Sequence, residues 1–463
     1  MRFNYKYIMK LGCSGFNQLK QTRRDFMRVG SLAGLGGLCL GDFYRAEGAQ
    51  KWFDSKEGKA KSVIQIILPG GIAAQETWNP KPNAPLEYRG PLGFNKTSVK
   101  GEIFGELLPN LSEVAHKMTV VRSIVGNIPD HGLATYNMIT GQKPSQAIKH
   151  PSVGAVVNHE FGPRGGFPGY ISIPTVESVP GAGTGYLSDK FGSFATGGDP
   201  AQGNNFQVRD LRLPNGVSLE GMNKRKNLRE LVNNEFRKLE ANPAQLETMD
   251  SYYQQAYTML SSEKVRNAFD MSKETDAMKD RYGMGKFLER GHYGASLGSQ
   301  AGGRMLLARR LVEAGARFVS LTYSSWDTHV QLRETYQRQM PAFDHALATL
   351  IDDLDERGLL DSTLIWVTTE FGRTPKFNAS AGRDHWSRVF SLAFAGGGMH
   401  RGLFYGDSDA TSSEPSKDAV VLHDLHATLY KLIGINSQKE LMAPGERPIE
   451  IVDEGKPVDD LIA

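Results

Sequence analysis

The chain of 463 residues has only two cysteines, and both, Cys13 and Cys39, fall within the first 49 positions. Beyond them there is no thiol to form a disulfide, to bind a metal as thiolate or to act as a nucleophile. An excess of one charge is also lacking. Lys and Arg number 54 against 51 Asp and Glu, the net charge is +3, and the basic residues form no block. This argues against nucleic acid or an anionic membrane surface as the main partner. No run beyond position 49 is apolar for the roughly twenty residues that a membrane helix needs, so a soluble mature protein is expected. Internal repeats and low-complexity tracts are missing too.

What is there begins with Thr22-Arg23-Arg24-Asp25-Phe26-Met27-Arg28, the pattern of a twin-arginine export signal. The apolar run from Val29 to Leu40 is rich in glycine and alanine and is about half the length of a membrane helix. Ala46, Gly48 and Ala49 offer a cleavage site, and Leu38 before Cys39 argues against lipid attachment there. A twin-arginine signal peptide over residues 1–49 is therefore expected. The translocase would be the partner in transit, and the destination the periplasm or beyond. Proteins on this route fold before export, often because a cofactor must be loaded first.

About 410 residues remain, enough for one large domain or two ordinary ones. Ser62 to Leu68 is a short apolar run ended by Pro69-Gly70-Gly71, which reads as a central strand buried on both faces. A second strand is expected over Met118 to Ile124, then a helix over Leu133 to Ile139 closed by Gly141. Between about 221 and 290 the texture turns helical, around Asn227 to Leu239, Met249 to Leu260 and Glu263 to Met271. Helix Gly303 to Ala314, strand Arg317 to Tyr323, helix Pro341 to Arg357 and strand Ser362 to Thr368 then alternate. That alternation predicts an α/β fold with a mostly parallel central sheet flanked by helices and a helical insertion at about 221–290.

Parallel sheets bind ligands at the carboxyl ends of their strands, and the polar clusters fall there. Glu76 follows the first strand, Asp130 and His131 the second. Trp326-Asp327-Thr328-His329 and Glu370-Phe371-Gly372-Arg373 follow later ones, and Gly382-Arg383-Asp384-His385-Trp386 precedes an apolar run. Carboxylates and imidazoles gathered on one edge can hold zinc, manganese or a similar divalent ion. Arg373 or Arg383 could neutralise an anionic group, because a guanidinium matches its oxygens in a fork. Each motif alone is common; the ordered set at strand ends is what points to a site.

The set also resembles one family. Gly70-Gly71, Trp78-Asn-Pro-Lys-Pro82, Ala308 to Gly315, Trp326 to His329, Thr369 to Pro375, Gly382 to Trp386, Ala395 to Gly398 and Asp424 to Thr428 look like domain of unknown function 1501. That family is similar in fold to the alkaline phosphatase and sulfatase superfamily. The resemblance spans nearly all of 62–463 and implies an alkaline-phosphatase-like domain with a divalent metal: zinc, manganese or calcium. By position, Asp327, His329 and His385 resemble the ligands of one ion, and Glu370 and Glu76 those of a second, with Asp384 completing the site. Phe371 stands where the superfamily usually has a histidine.

Met138-Ile139-Thr140-Gly141 resembles the run that follows the sulfatase nucleophile, and nine places before Thr140 stands His131. No Ser-x-Pro-x-Arg or Cys-x-Pro-x-Arg motif exists past the leader, so formylglycine chemistry is excluded. His131 remains open as nucleophile, acid/base or metal ligand, or as a cap of the following helix. The expected function is a metal-dependent hydrolase of a small-molecule or glycan phosphate or sulfate ester. The alternative is an inactive binding protein or scaffold of the same fold.

Overall fold

The computed structural model describes residues 58–208, 211, 221, 243–287, 289–290, 296–298 and 300–463. The expected leader and the helix expected at Asn227 to Leu239 lie outside the described residues. Among the described residues the chain builds one nine-stranded sheet. In chain order its strands are β1 (Ser62–Ile67), β2 (Met118–Val125), β3 (Tyr170–Ile173), β4 (Phe194–Ala195), β5 (Phe318–Thr322), β6 (Thr363–Thr368), β7 (Phe390–Ala395), β8 (Leu403–Tyr405) and β9 (Val420–Val421). Across the sheet the order is β8-β2-β7-β6-β1-β5-β3-β4, with β9 alongside β2. β1 runs parallel to both β5 and β6, and β5 parallel to β3. Only β7 is reversed, pairing antiparallel with β6 and β2. The sheet is thus mixed and mostly parallel, as expected.

All six residues of β1 are buried, which is why its sequence is mostly apolar without alternation, with Ser62 and Gln65 the polar members. Successive side chains of a strand point to opposite faces. Ile64 and Ile66 accordingly enter one core, with α1 (Pro109–Val114), α4 (Gln300–Ala314) and α5 (Leu332–Glu356). Val63 and Ile67 enter the other, with α2 (His131–Thr140), α3 (Val153–Phe161) and α6 (Leu422–Ile433). Helix–sheet–helix layering follows. Helices Pro243–Ser261, Glu263–Phe269 and Asp276–Arg281 lie between β4 and β5 in the chain. Met259, Val265 and Phe269 join the first core.

Several helix starts lie earlier than the sequence reading has them, Pro243 for Met249 and Gln300 for Gly303, and one differs most. The expected helix runs from Pro341 to Arg357. Instead α5 begins at Leu332 and carries Pro341 inside it. Proline removes one hydrogen bond to the carbonyl four residues back, here that of Gln337, an exposed residue. The loss is met by the buried stripe Leu332, Tyr336, Met340, Phe343 and Leu347, whose three- and four-residue spacing holds one helical face against the sheet.

Candidate metal centre

Because eight strands share a direction, the loops after β1, β2, β5 and β6 meet at one edge. After β2, Asp130 caps α2, its Oδ1 accepting from the Leu133 N–H at 2.9 Å. His131 is therefore the first helical residue, not the cap. After β5, the loop carries Asp327 and His329; after β6, Glu370. A short antiparallel pairing of Gly372–Arg373 with His385–Trp386 brings His385 to the same place. Close approach of these loops depends on Gly70: a Cβ there would meet the Asp327 nitrogen at 2.4 Å, and its φ is +107°.

Three imidazoles converge on one carboxylate oxygen. Asp327 Oδ1 lies 3.0 Å from His329 Nε2 and 3.4 Å from the Nε2 atoms of both His131 and His385. His329 Nε2 and His385 Nε2 are 3.0 Å apart. Donor atoms of His131, Asp327 and His385 all lie within 4.8 Å of one another. Ligands about 2.0–2.1 Å from a tetrahedral ion sit roughly 3.4 Å from each other, so the spacings of His131, Asp327 and His385 fit one cation, with His329 adjoining two of the three.

The outer nitrogens are equally informative. His131 Nδ1 is 2.6 Å from Glu370 Oε1, His329 Nδ1 is 2.8 Å from Asp384 Oδ1, and His385 Nδ1 is 2.8 Å from the Pro129 carbonyl. Each partner can only accept, so each Nδ1 carries the hydrogen and each Nε2 of a neutral ring turns a bare lone pair inward. Metal-bound histidines are commonly held in this way. Three lone pairs and a carboxylate facing one point repel unless a positive charge stands among them. His131 Nε2 is buried and has no hydrogen-bond partner; the donor set therefore fits a divalent cation.

Without a metal, a proton supplies the charge. Asp327 and then Glu370 push the His131 imidazole up to about 9, against the opposing effect of burial. Burial would raise the Asp327 carboxyl, but His131 and Arg373 outweigh it and hold Asp327 well below the usual carboxylate range. Burial lowers His385, and His131⁺ adds to this. His329 holds Asp384 below its ordinary value.

The other expected site residues are placed differently from one another. Glu370 is not salt-bridged to Arg373; it accepts from the Gly70 N–H at 2.8 Å and stands behind His131. Arg373 is fully buried and donates to the carbonyls of Gly70, Gly71 and Arg383 and to Asp327 Oδ1. Phe371 packs against His385 and His131, with ring centres 4.7 and 4.9 Å away. Glu76 and Arg383 form a fully buried ion pair of 2.7 Å, set apart from the imidazoles. Arg383 also donates to the carbonyls of Thr374, Pro375 and Tyr88 and lies over the Phe377 ring. Sequence reasoning missed the Pro129 carbonyl, which holds His385 through its backbone and so leaves no side-chain signal.

A mixed, mostly parallel sheet between helical layers, with a His/Asp cluster at its carboxyl edge, defines an α/β protein with a candidate divalent-cation site. The chain belongs to the family described as protein of unknown function (DUF1501), which it matches over residues 60–462. No curated protein matches the sequence. Among solved structures, the chain is similar to a phosphonate monoester hydrolase from Silicibacter pomeroyi, at 12% identity and TM-score 0.35, covering 86% of this chain and 76% of that one. It is also similar to the alkaline phosphatase of the Antarctic bacterium TAB5, at 10% identity and TM-score 0.33, covering 74% and 92%. A third is the lipoteichoic acid synthase LtaP of Listeria monocytogenes, at 9% identity and TM-score 0.37, covering 88% and 81%.

Proposed function

We propose that the protein is an exported metal-dependent hydrolase acting on a phosphate or sulfate ester, or a related anionic ester of a small molecule or glycan. One observation carries the reading: three Nε2 atoms and Asp327 Oδ1 converge while every Nδ1 is held by an acceptor. His131, His385 and Asp327 would hold the ion, with His329 beside Asp327 and His385; zinc is the best match to imidazoles and one carboxylate, and three ligands leave it a position open to the ester. When bound, such an ion polarises an ester oxygen and lowers the pKa of water.

The protein's own groups prepare the site. Glu370, Asp384 and the Pro129 carbonyl fix the three ring tautomers. Arg373, with its donors engaged by carbonyls, orients Asp327 and keeps it ionised. Phe371 seals the inner face of two rings. Neither Arg373 nor Arg383 is turned to a substrate anion, so the cation would neutralise that charge. Export by the twin-arginine translocase rests on residues 22–28; no helix among the described residues is long and apolar enough to cross a membrane.

A second reading, a binding protein without turnover, is favoured by the imidazole that opens α2, where a hydrolase of this type would carry a hydroxyl or thiol. Elemental analysis of protein purified with its leader intact separates the two. About one zinc, manganese, calcium or iron per chain, lost in Asp327→Ala, supports the metallohydrolase. Folded protein that stays metal-free on titration overturns it.

A further inference from the structure

A cleft of about 390 Å³ opens on the same edge of the sheet, walled by Thr135, Ser178, Arg304, Thr322, Ser324 and Ser325. Its walls continue the elements of the metal centre. Thr135 lies one turn along α2 from His131, and Ser325 stands two residues before Asp327. Pro69, which precedes Gly70, also lines it, together with Val179 and Pro180. The turn at Ser324 is in the left-handed region, with φ +57°. Gln339, buried in α5, holds it from both sides, accepting from Ser324 Oγ and donating to the Ser325 carbonyl at 3.1 Å. The cleft wall is thereby fixed in advance of any ligand.

Among the described lining residues, Arg304 alone is charged, and that charge is matched. Its side chain is buried, its Nε and Nη2 donate to the two oxygens of Asp199, and its Nη1 donates to the Thr322 carbonyl. What the wall presents is therefore largely carbon, from proline and valine among others, interleaved with hydroxyl groups, of which Ser324 is engaged by Gln339 and Thr322 by Arg304, and with the side chain of Gln300. Hydroxyls serve as donor and acceptor alike, whereas a charge in a cleft without an unmatched counter-charge is left poorly solvated.

We propose that this cleft binds an uncharged, hydroxyl-rich group, and discriminates against charged groups of equal size. Under the function proposed above, that group is the alcohol portion of the ester; only this assignment rests on that reading, and the binding does not. The cleft volume falls within the roughly 300–1,000 Å³ of small-molecule sites.

Saturation-transfer NMR tests the proposal with D-glucose and myo-inositol against gluconate and glucosamine. Wild-type protein is expected to give signals for the neutral pair at least tenfold above the charged pair, before and after removal of metal by a chelator. Ser178→Trp, at an exposed position of the wall, should abolish the neutral signals while circular dichroism and metal content stay unchanged. Asp199→Asn frees the Arg304 charge and should raise the gluconate signal at least fivefold. Absence of a neutral signal in folded wild type, equal signals for the charged pair, or a neutral signal that survives Ser178→Trp overturns the cleft assignment. Neutral binding in a protein that never holds metal leaves this inference standing and removes the metallohydrolase.

Discussion

Two acidic–basic clusters lie on the same edge of one sheet, and they differ in how their charge is balanced. Glu76 and Arg383 are both fully buried, and the guanidinium is further satisfied by three carbonyls and the face of Phe377. The counter-charge is built into the chain, although burial still raises Glu76 and leaves its Oε2 without a partner. Around Asp327 the side chains are about one-third exposed, with His131 at 36% and Asp327 at 38%. The same edge also presents three imidazole lone pairs that no protein group satisfies together. A carboxylate at a strand end thus says little about function by itself. Whether its counter-charge is built into the chain or has to arrive from outside decides the matter.

The sharpest way to break this comparison is to unbalance the sealed pair. Arg383→Met leaves Glu76 buried and unpaired, a change that costs about 3–5 kcal/mol. Urea denaturation should report that loss, and Glu76→Leu/Arg383→Met together should recover part of it. Metal content in the folded fraction should not change. Metal lost from folded Arg383→Met protein would show that the two clusters act as one.

On the open cluster the expectation reverses. His131→Ala or His385→Ala removes a proposed ligand and should lower zinc affinity by more than about 100-fold, the upper end for outer groups, with little loss of stability in chelator-treated protein. Competition with a zinc dye measures it. Glu370→Gln is milder. It keeps the volume but turns an acceptor held against His131 Nδ1 into an amide, and affinity should fall about 10–100-fold. If Glu370→Gln costs as much as His131→Ala, Glu370 is itself a ligand and the ring it holds is secondary.

Much of this was legible from the chain, and for identifiable reasons. β1, β2, β5 and β6 are read correctly because burial on both faces demands mostly apolar residues, broken only by a few such as Gln65, Arg122 and Ser320, and that leaves a local mark. α2 is legible through Gly141, left-handed at φ +74°. The start of α5 was not, because Pro341 signals a boundary locally while the stripe through Leu332 and Tyr336 overrides it only through packing. At the site, residue types at strand ends pointed to one edge, where the structure brings His131, Asp327, His329 and His385 together and leaves Glu76 with Arg383. Their pairing was hidden, since Glu76 meets Arg383 across 307 positions and His131 meets Glu370 across 239. The two rings of charge look alike in sequence because nothing local distinguishes a carboxylate that faces a guanidinium from one that faces three histidines.

The smallest effect sharpens the comparison through two histidines attached to the same helix. His131 opens α2 in the exposed cluster, whereas His426 of α6 is fully buried, with Nε2 2.9 Å from the Met138 carbonyl of α2 and Nδ1 2.8 Å from that of Leu422. A neutral ring can donate to only one of these carbonyls, yet burial prevails and pushes His426 down to about 4. The linkage signs are opposite. His131, raised to about 9, contributes fully below its unfolded value near 6.5 and loses that contribution as pH rises through about 9. His426 contributes fully above about 6.5 and loses its contribution as pH falls towards about 4. Chelator-treated protein should therefore show a thermal midpoint that falls on both sides of neutrality. His131→Gln should flatten only the alkaline limb, where solvent screening limits the effect to about 1 kcal/mol or less. His426→Gln should flatten only the acid limb. Saturating zinc should abolish the alkaline limb as well, because the cation takes the place of the His131 proton; an alkaline limb unchanged by zinc would mean that the proton and the metal do not share a site.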